Sequence, residues 1–171
     1  MAPLFVIIPL LAYVPMFAYE VYIAFRRIGK PTDKGGEYLH ATWEATHTFL
    51  ILSVNYFMWL YSDAIVEVGR AVFLPLLVFG ASFVFRAILY VYLFYIKSSP
   101  KPIIIVDQLF AWTHVVMTIC LVAIVYPTLT IILRGNYEPN HILLPLITPG
   151  LFLMIPLISV PLYFLYRTKS R

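Results

Sequence analysis

Long apolar runs separated by short polar segments form the main pattern along this chain. The runs cover roughly residues 2–25, 41–62, 71–96, 103–133 and 141–166. At a rise of about 1.5 Å per residue, each run can cross a hydrocarbon core of roughly 30 Å as an α-helix. The pattern therefore predicts an all-α protein, a polytopic membrane bundle of about five transmembrane helices.

The segments between the runs contain the residues that usually interrupt helices. The first, RRIGKPTDKGGEY, is the most polar and contains proline and several glycines. KSSPKP precedes the fourth run, and LRGNYEPNH precedes the fifth. Proline and glycine clusters of this kind favour turns. The segment SDAIVEVGR lacks proline, and it predicts either a tight connection or a polar overhang of the third helix.

The composition agrees with a membrane protein. Of 171 residues, 62% are hydrophobic and 12% are charged, whereas soluble domains are closer to half apolar and a quarter charged. The net charge of +4 comes from residues that flank the apolar runs, so it does not indicate a nucleic-acid partner. Cys120 is the single cysteine, which excludes a disulfide within one chain and a cysteine-rich metal site.

Lysine and arginine are distributed unequally between alternate loops. One set of loops carries Arg26, Arg27, Lys30, Lys34, Lys97, Lys101, Arg167, Lys169 and Arg171. The opposite set carries only Arg70 and Arg134. Because positively charged loops stay in the cytoplasm, the bias predicts a multi-pass plasma-membrane protein with its N-terminus outside and its C-terminus in the cytoplasm.

Four ionisable residues lie inside or near the ends of the predicted spans. They are Glu20, Glu44, Arg86 and Asp107, and the predicted orientation puts all four in the cytoplasmic half of the membrane. A charge in hydrocarbon costs at least a few kcal/mol, so such side chains face one another or a wet cavity. One interpretation is a proton path from the cytoplasm in which Arg86 tunes the acids. The other is a static ion pair that fixes helix register, for example Glu44 with Arg86.

Two histidines, His47 and His114, lie within predicted spans and are weak candidates for the ligands of a b-type haem. Their predicted depths differ by several residues, which is awkward for one haem plane. Histidines hydrogen-bonded inside the bundle are the alternative. No phosphate loop, nucleophile elbow or zinc-protease motif occurs in the sequence, and no other metal site is predicted.

Several short segments resemble subunit II of the cytochrome bd-type quinol oxidases. Residues 43–50, WEATHTFL, resemble the Trp-acid-x-Asn-x-x-Trp-Leu segment that opens the second helix of that subunit. Residues 73–76, FLPL, and 83–86, FVFR, are similar to segments of its third helix. Residues 107–110, DQLF, resemble the entry to its fourth helix, and residues 18–20, AYE, resemble the acid of its first.

The chain departs from the family pattern in composition and in length. Val84, Thr46 and Val106 stand where the family has a glutamate, an asparagine and a tryptophan. The family subunit is about twice as long and contains two four-helix repeats. The resemblance therefore implies one four-helix transmembrane repeat in residues 1–134, followed by a fifth transmembrane helix and basic cytoplasmic tail in residues 135–171.

The resemblance implies a non-catalytic subunit of a respiratory quinol:oxygen oxidoreductase. Such a subunit packs against a haem-bearing subunit I and lines a cytoplasmic path for protons or oxygen through its helix-two acid, here Glu44, with Arg86 at the helix-three arginine. It implies no cofactor in this chain and haems b and d in the partner subunit. It also implies lipid and quinol in the complex, and a second copy or a diverged paralogue that completes the missing repeat.

Two other functions remain open on the sequence. One is a membrane anchor that binds a b-type haem through His47 and His114. The other is a structural membrane subunit, or a small transporter repeat, that is unrelated to respiration.

Overall fold

A computed structural model describes residues 2–30, 34–96 and 101–169 of the chain. For residues 2–3, 34–44 and several residues between 143 and 169, the structure describes the backbone alone.

Helices make up most of the described chain. The helices are α1 (Ala2–Arg26), α2 (Lys34–Leu60), α3 (Ile65–Val91), α4 (Ile104–Arg134) and α5 (Leu144–Lys169). A π-helical turn, Tyr92–Ile96, continues α3, and 3-10 turns precede α3 and α5. No strand occurs in the described residues. The predicted all-α class is confirmed.

Three of the described helical segments are long and apolar enough to cross a bilayer: Leu4–Arg26, Ser62–Ile96 and Ile104–Arg134. The chain is therefore a membrane protein. The middle segment begins well before the apolar run at residue 71, because SDAIVEVGR forms a 3-10 turn and then the first residues of α3. Of the two interpretations of that segment, the helical overhang is the one observed.

Backbone conformation ends α1 sharply. Gly29 has a φ of 71°, in the left-handed region that glycine adopts without a steric penalty. The N–H of Lys30 bonds to the carbonyl of Arg27 over 2.9 Å, which closes a turn around the glycine. The side chains of Arg26 and Arg27 are therefore presented from a defined helix end.

The helices group into two compact units. The first comprises Met1–Glu20, Lys34–Ser62 and Glu138–Arg171. Within it α2 packs against α5. Ser53 Oγ donates a hydrogen bond to the carbonyl of Val6 over 2.9 Å, which links α2 to the first part of α1.

The second unit comprises Val21–Asp33 and Asp63–Tyr137, and its core is the packing of α3 against α4. The buried face of α4 includes Asp107, Phe110, Ala111, His114 and Met117. These positions recur every three or four residues, as expected for one helix face. The opposite face of α4 carries large exposed apolar side chains, which suits contact with lipid. Two ionisable residues therefore lie on the face of α4 that is hidden from lipid.

Candidate functional site

The second unit contains two of the predicted proton-path residues, Arg86 and Asp107, and both are buried. Glu20 belongs to the first unit and is also buried. Glu44 lies in α2, but its side chain is outside the part of the structure that is described. The proton path and the Glu44–Arg86 pair therefore stay predictions, and three of the four candidate side chains have observed environments.

Arg86 of α3 contacts a histidine of α4. Its Nε donates a hydrogen bond to Nε2 of His114 over 2.8 Å, and neither residue is more than 1% exposed. The Cζ atom of Arg86 lies 5.9 Å from the centre of the Phe110 ring, within the range of a cation–π contact. Arg86 is therefore anchored to α4 by a ring nitrogen and by an aromatic face.

These contacts fix the protonation state of His114. Its Nδ1 lies 2.7 Å from the carbonyl oxygen of Phe110, one helical turn earlier. A carbonyl oxygen only accepts, so Nδ1 carries the hydrogen and donates it. Nε2 accepts from the guanidinium and carries none. The imidazole is consequently neutral, as the Nδ1–H tautomer, beside a permanently charged arginine.

This arrangement fits poorly with a haem ligand at His114. Both ring nitrogens already make hydrogen bonds, so iron ligation through Nε2 would displace the guanidinium of Arg86. His47, the other candidate ligand, is buried in the first unit. In the residues that the structure describes, His114 thus acts as a hydrogen-bond acceptor for Arg86.

Asp107 of α4 forms a buried ion pair with Arg27, which follows the end of α1. Nη2 of Arg27 lies 3.1 Å from Oδ1 of Asp107, and the two side chains are 4% and 3% exposed. The Cζ atom of Arg27 lies 4.6 Å from the centre of the Phe94 ring. Asp107 also lies in the first turn of α4, where the helix dipole favours negative charge. Three features therefore stabilise the ionised pair.

Sequence reasoning missed Arg27 as a site residue, because the arginine was assigned only to the positively charged first loop. A signal was nevertheless present. Arg27 follows Glu20 by seven residues, which is two helical turns and so the same helix face. An arginine at that spacing from a buried acid is a candidate for burial itself.

Asp107 and His114 are also separated by seven residues, on the buried face of α4. Two turns correspond to about 10 Å along the helix. Phe110 lies between them and packs edge-on against His114, with ring centres 4.8 Å apart. The interior face of α4 thus holds two charged arginines from other segments, one against a carboxylate and one against a neutral imidazole.

Glu20 has a separate partner in the first unit. Thr46 Oγ1 of α2 donates a short hydrogen bond to Glu20 Oε1, with 2.6 Å between the oxygens, and both residues are buried. Thr46 stands where the resembling family segment has an asparagine. Its hydroxyl group, like the asparagine amide, can donate a hydrogen bond to the acid. The pair attaches the middle of α2 to α1.

Comparison of the chain with family models, with curated proteins and with solved structures gave no match.

Proposed function

We propose that this chain is a non-catalytic membrane subunit of a bd-type respiratory quinol oxidase and that its buried acids conduct protons. The observation that carries the proposal is the pair of buried ionisable contacts on one face of α4, Arg27–Asp107 and Arg86–His114. Ionisable groups within membrane spans are expensive, and they typically mark ion or proton pathways.

The segments that resemble the oxidase subunit support the same proposal. Arg86 stands at the helix-three arginine of the resembling segment and is a buried cation. Asp107 begins the segment that resembles the entry to helix four, and it too is buried. Glu44, the position of the helix-two acid, is the proposed inner mouth of the path. Carboxylates suit this role because they exchange protons rapidly when water or another acceptor reaches them.

The proposed complex places the haems outside this chain. A partner subunit carries haems b and d and reduces oxygen, and a second copy or a paralogue of this chain supplies the missing repeat. The complex lies in the plasma membrane, with the N-terminus of this chain outside. His114 is fully occupied by Arg86 and Phe110, which favours this arrangement over a haem anchor within the chain.

A second candidate is a structural subunit in which the buried pairs only fix helix register. The observation that favours it is the Arg27–Asp107 ion pair, whose oppositely charged atoms lie within contact distance. A buried pair of this kind specifies which helices meet even when it adds little stability.

Co-purification separates the two candidates. The chain is tagged at its C-terminus and extracted from its native membrane in a mild detergent. A haem-bearing partner is then sought by a reduced-minus-oxidised spectrum, and quinol-dependent oxygen consumption is measured. The proposal expects haem absorbance and oxidase activity in the tagged fraction at a fixed ratio to the chain. A fraction that contains the chain without haem and without oxidase activity would refute it.

A further inference from the structure

The two carboxylate oxygens of Asp107 have different surroundings. Oδ1 contacts Nη2 of Arg27 over 3.1 Å. Oδ2 is just as buried, but it has no hydrogen-bond partner among the residues that the structure describes. A buried carboxylate oxygen usually accepts a hydrogen bond or carries a proton, because leaving it bare is costly. Oδ1 is therefore held by Arg27, and Oδ2 can still accept a hydrogen bond or a proton.

Arg27 is held from a second direction. The ring of Phe94, in the π-helical turn after α3, lies against its guanidinium at 4.6 Å. An arginine stays charged at all accessible pH values, so it cannot itself exchange the proton. The aromatic face stabilises the cation independently of the charge on Asp107. Arg27 can thus keep its position when Asp107 is neutral.

We propose that Arg27 is a positioning residue that holds Asp107 through Oδ1, so that Oδ2 is the atom that takes up and releases a proton. This inference rests on the proposed function, since it assigns the proton-accepting atom of that path. In the uptake step, a hydronium ion transfers its proton to Oδ2, an O–H bond forms, and water is left. The ion pair becomes a hydrogen bond between Arg27 and a neutral acid. In the release step, the O–H bond breaks, a water molecule accepts the proton, and the ion pair returns.

The nearest titratable side chain on α4 cannot accept the proton that Asp107 releases. Along α4, the next titratable side chain on the buried face is His114, two turns away. Its Nε2 is already bonded to Arg86 of α3. A proton on Nε2 would set two cations against each other, so His114 does not accept from Asp107 while Arg86 stays in place. His114 is therefore excluded as the acceptor, and the proposal assigns water as the partner of Oδ2 in both steps.

The test uses matched variants in the purified complex. Asp107→Asn removes the proton site and keeps the shape, and we expect turnover to fall about a hundredfold, the typical contribution of a positioned proton-transfer group. Arg27→Gln loses the donor geometry and the charge, and it should also lower turnover. Arg27→Lys keeps the charge and should restore part of the rate. Arg26→Gln changes the adjacent, exposed arginine and should leave turnover unchanged.

The double variant Arg27→Gln with Asp107→Asn distinguishes a role in proton transfer from a role in assembly alone. It replaces the ion pair by two neutral amides, so it should restore the yield of assembled complex but leave turnover low. Normal turnover in the double variant would overturn the inference. Normal turnover in Asp107→Asn would overturn it as well.

Infrared difference spectroscopy separates failure of this inference from failure of the proposed function. Acidification of the wild-type protein should produce a protonated carboxyl band that shifts in heavy water and is missing in Asp107→Asn. In Arg27→Gln the band should lie at a different frequency, because the hydrogen bond to Oδ1 is lost, whereas Arg26→Gln should match the wild type. A preparation without oxidase activity would refute the proposed function, and this band would still decide whether Asp107 exchanges a proton. Identical carboxyl bands in the wild type and Asp107→Asn would overturn the inference.

Discussion

Arg86 donates a hydrogen bond to Nε2 of His114, so a buried cation of α3 is held by a neutral ring of α4. The sequence suggested a pairing of Arg86 with the carboxylate of Glu44, whose side chain lies outside the described part of the structure, so that pairing stays a prediction. A neutral acceptor satisfies the N–H of the arginine without cancelling its charge. The hydrogen bond to His114 therefore satisfies one N–H of Arg86 and leaves its charge unchanged.

Removal of the acceptor should destabilise the second unit. His114→Phe leaves the Nε hydrogen of Arg86 without this acceptor, which costs about 1–3 kcal/mol for a buried polar group and more for a charged one. The thermal unfolding midpoint in detergent should fall accordingly. His141→Phe, a change at an exposed histidine, serves as the control. Equal midpoints for His114→Phe and the wild type would contradict the contact.

The tautomer of His114 is directly measurable. Nitrogen-15 NMR of histidine-labelled protein should show a protonated Nδ1 and an unprotonated Nε2 for this residue. In Arg86→Gln the Nε2 resonance should move, because its charged donor is replaced. A resonance of Nε2–H type in the wild type would show that the ring is arranged differently.

Glu44→Gln should slow quinol oxidation strongly and leave the complex assembled, because the amide keeps the shape and loses the titratable proton. Glu44→Asp should retain part of the activity. The measurement is the oxidase rate per assembled complex. A normal rate at normal yield in Glu44→Gln would end the proton-path hypothesis, and a low yield with a normal specific rate would favour the structural role.

The orientation of the chain can be tested by cysteine labelling in intact cells, after Cys120 is replaced by alanine. A cysteine in place of Gly36 should stay unlabelled by an impermeant reagent that is added outside. A cysteine in place of Glu138, which is exposed after α4, should react. The reverse pattern would invert the predicted topology.

Tyr137, which lies outside the membrane-spanning segments, should lose its proton at a higher pH than an ordinary tyrosine. Tyr137 donates a hydrogen bond to Oε2 of Glu67 over 2.7 Å, and this bond, followed by burial and by the charges of Glu67 and Asp63, raises the pKa of Tyr137. A raised pKa in the folded state means that the contact is present at neutral pH and is lost as pH rises through that value. Ultraviolet titration of the wild type against Tyr137→Phe isolates this residue.

Substitution of Glu67 and of Asp63 should show how much each acid raises the pKa of Tyr137. Glu67→Gln should lower the pKa of Tyr137 toward the ordinary value of about 10, because the charged acceptor is gone. Asp63→Asn should lower it less, since Asp63 acts only through its charge. The contact would be disproved if Tyr137 titrated identically in the wild type and in Glu67→Gln.

The helices were predictable because the length of an apolar run limits what can cross a bilayer. The start of α3 was harder to predict, because Glu67 and Arg70 give its first turns the polar composition of a loop. The partners of Arg86 and Asp107 were beyond sequence reasoning for a different reason. Both pairs join segments far apart in the chain, and the choice among several acids, histidines and arginines depends on how the helices rotate about their axes.

The turn at Gly29 connects backbone geometry to the electrostatics of the second unit. Its φ of 71° suits glycine, and a β-carbon at this position would strain the backbone even though the nearest side-chain atom, on Ile104, is 3.8 Å away. The strain would act on the turn that presents Arg27. An uncharged substitution, Gly29→Ala, would therefore disturb an ion pair that it does not touch. A residue without a side chain thus helps to hold together an ion pair between two distant segments of the chain.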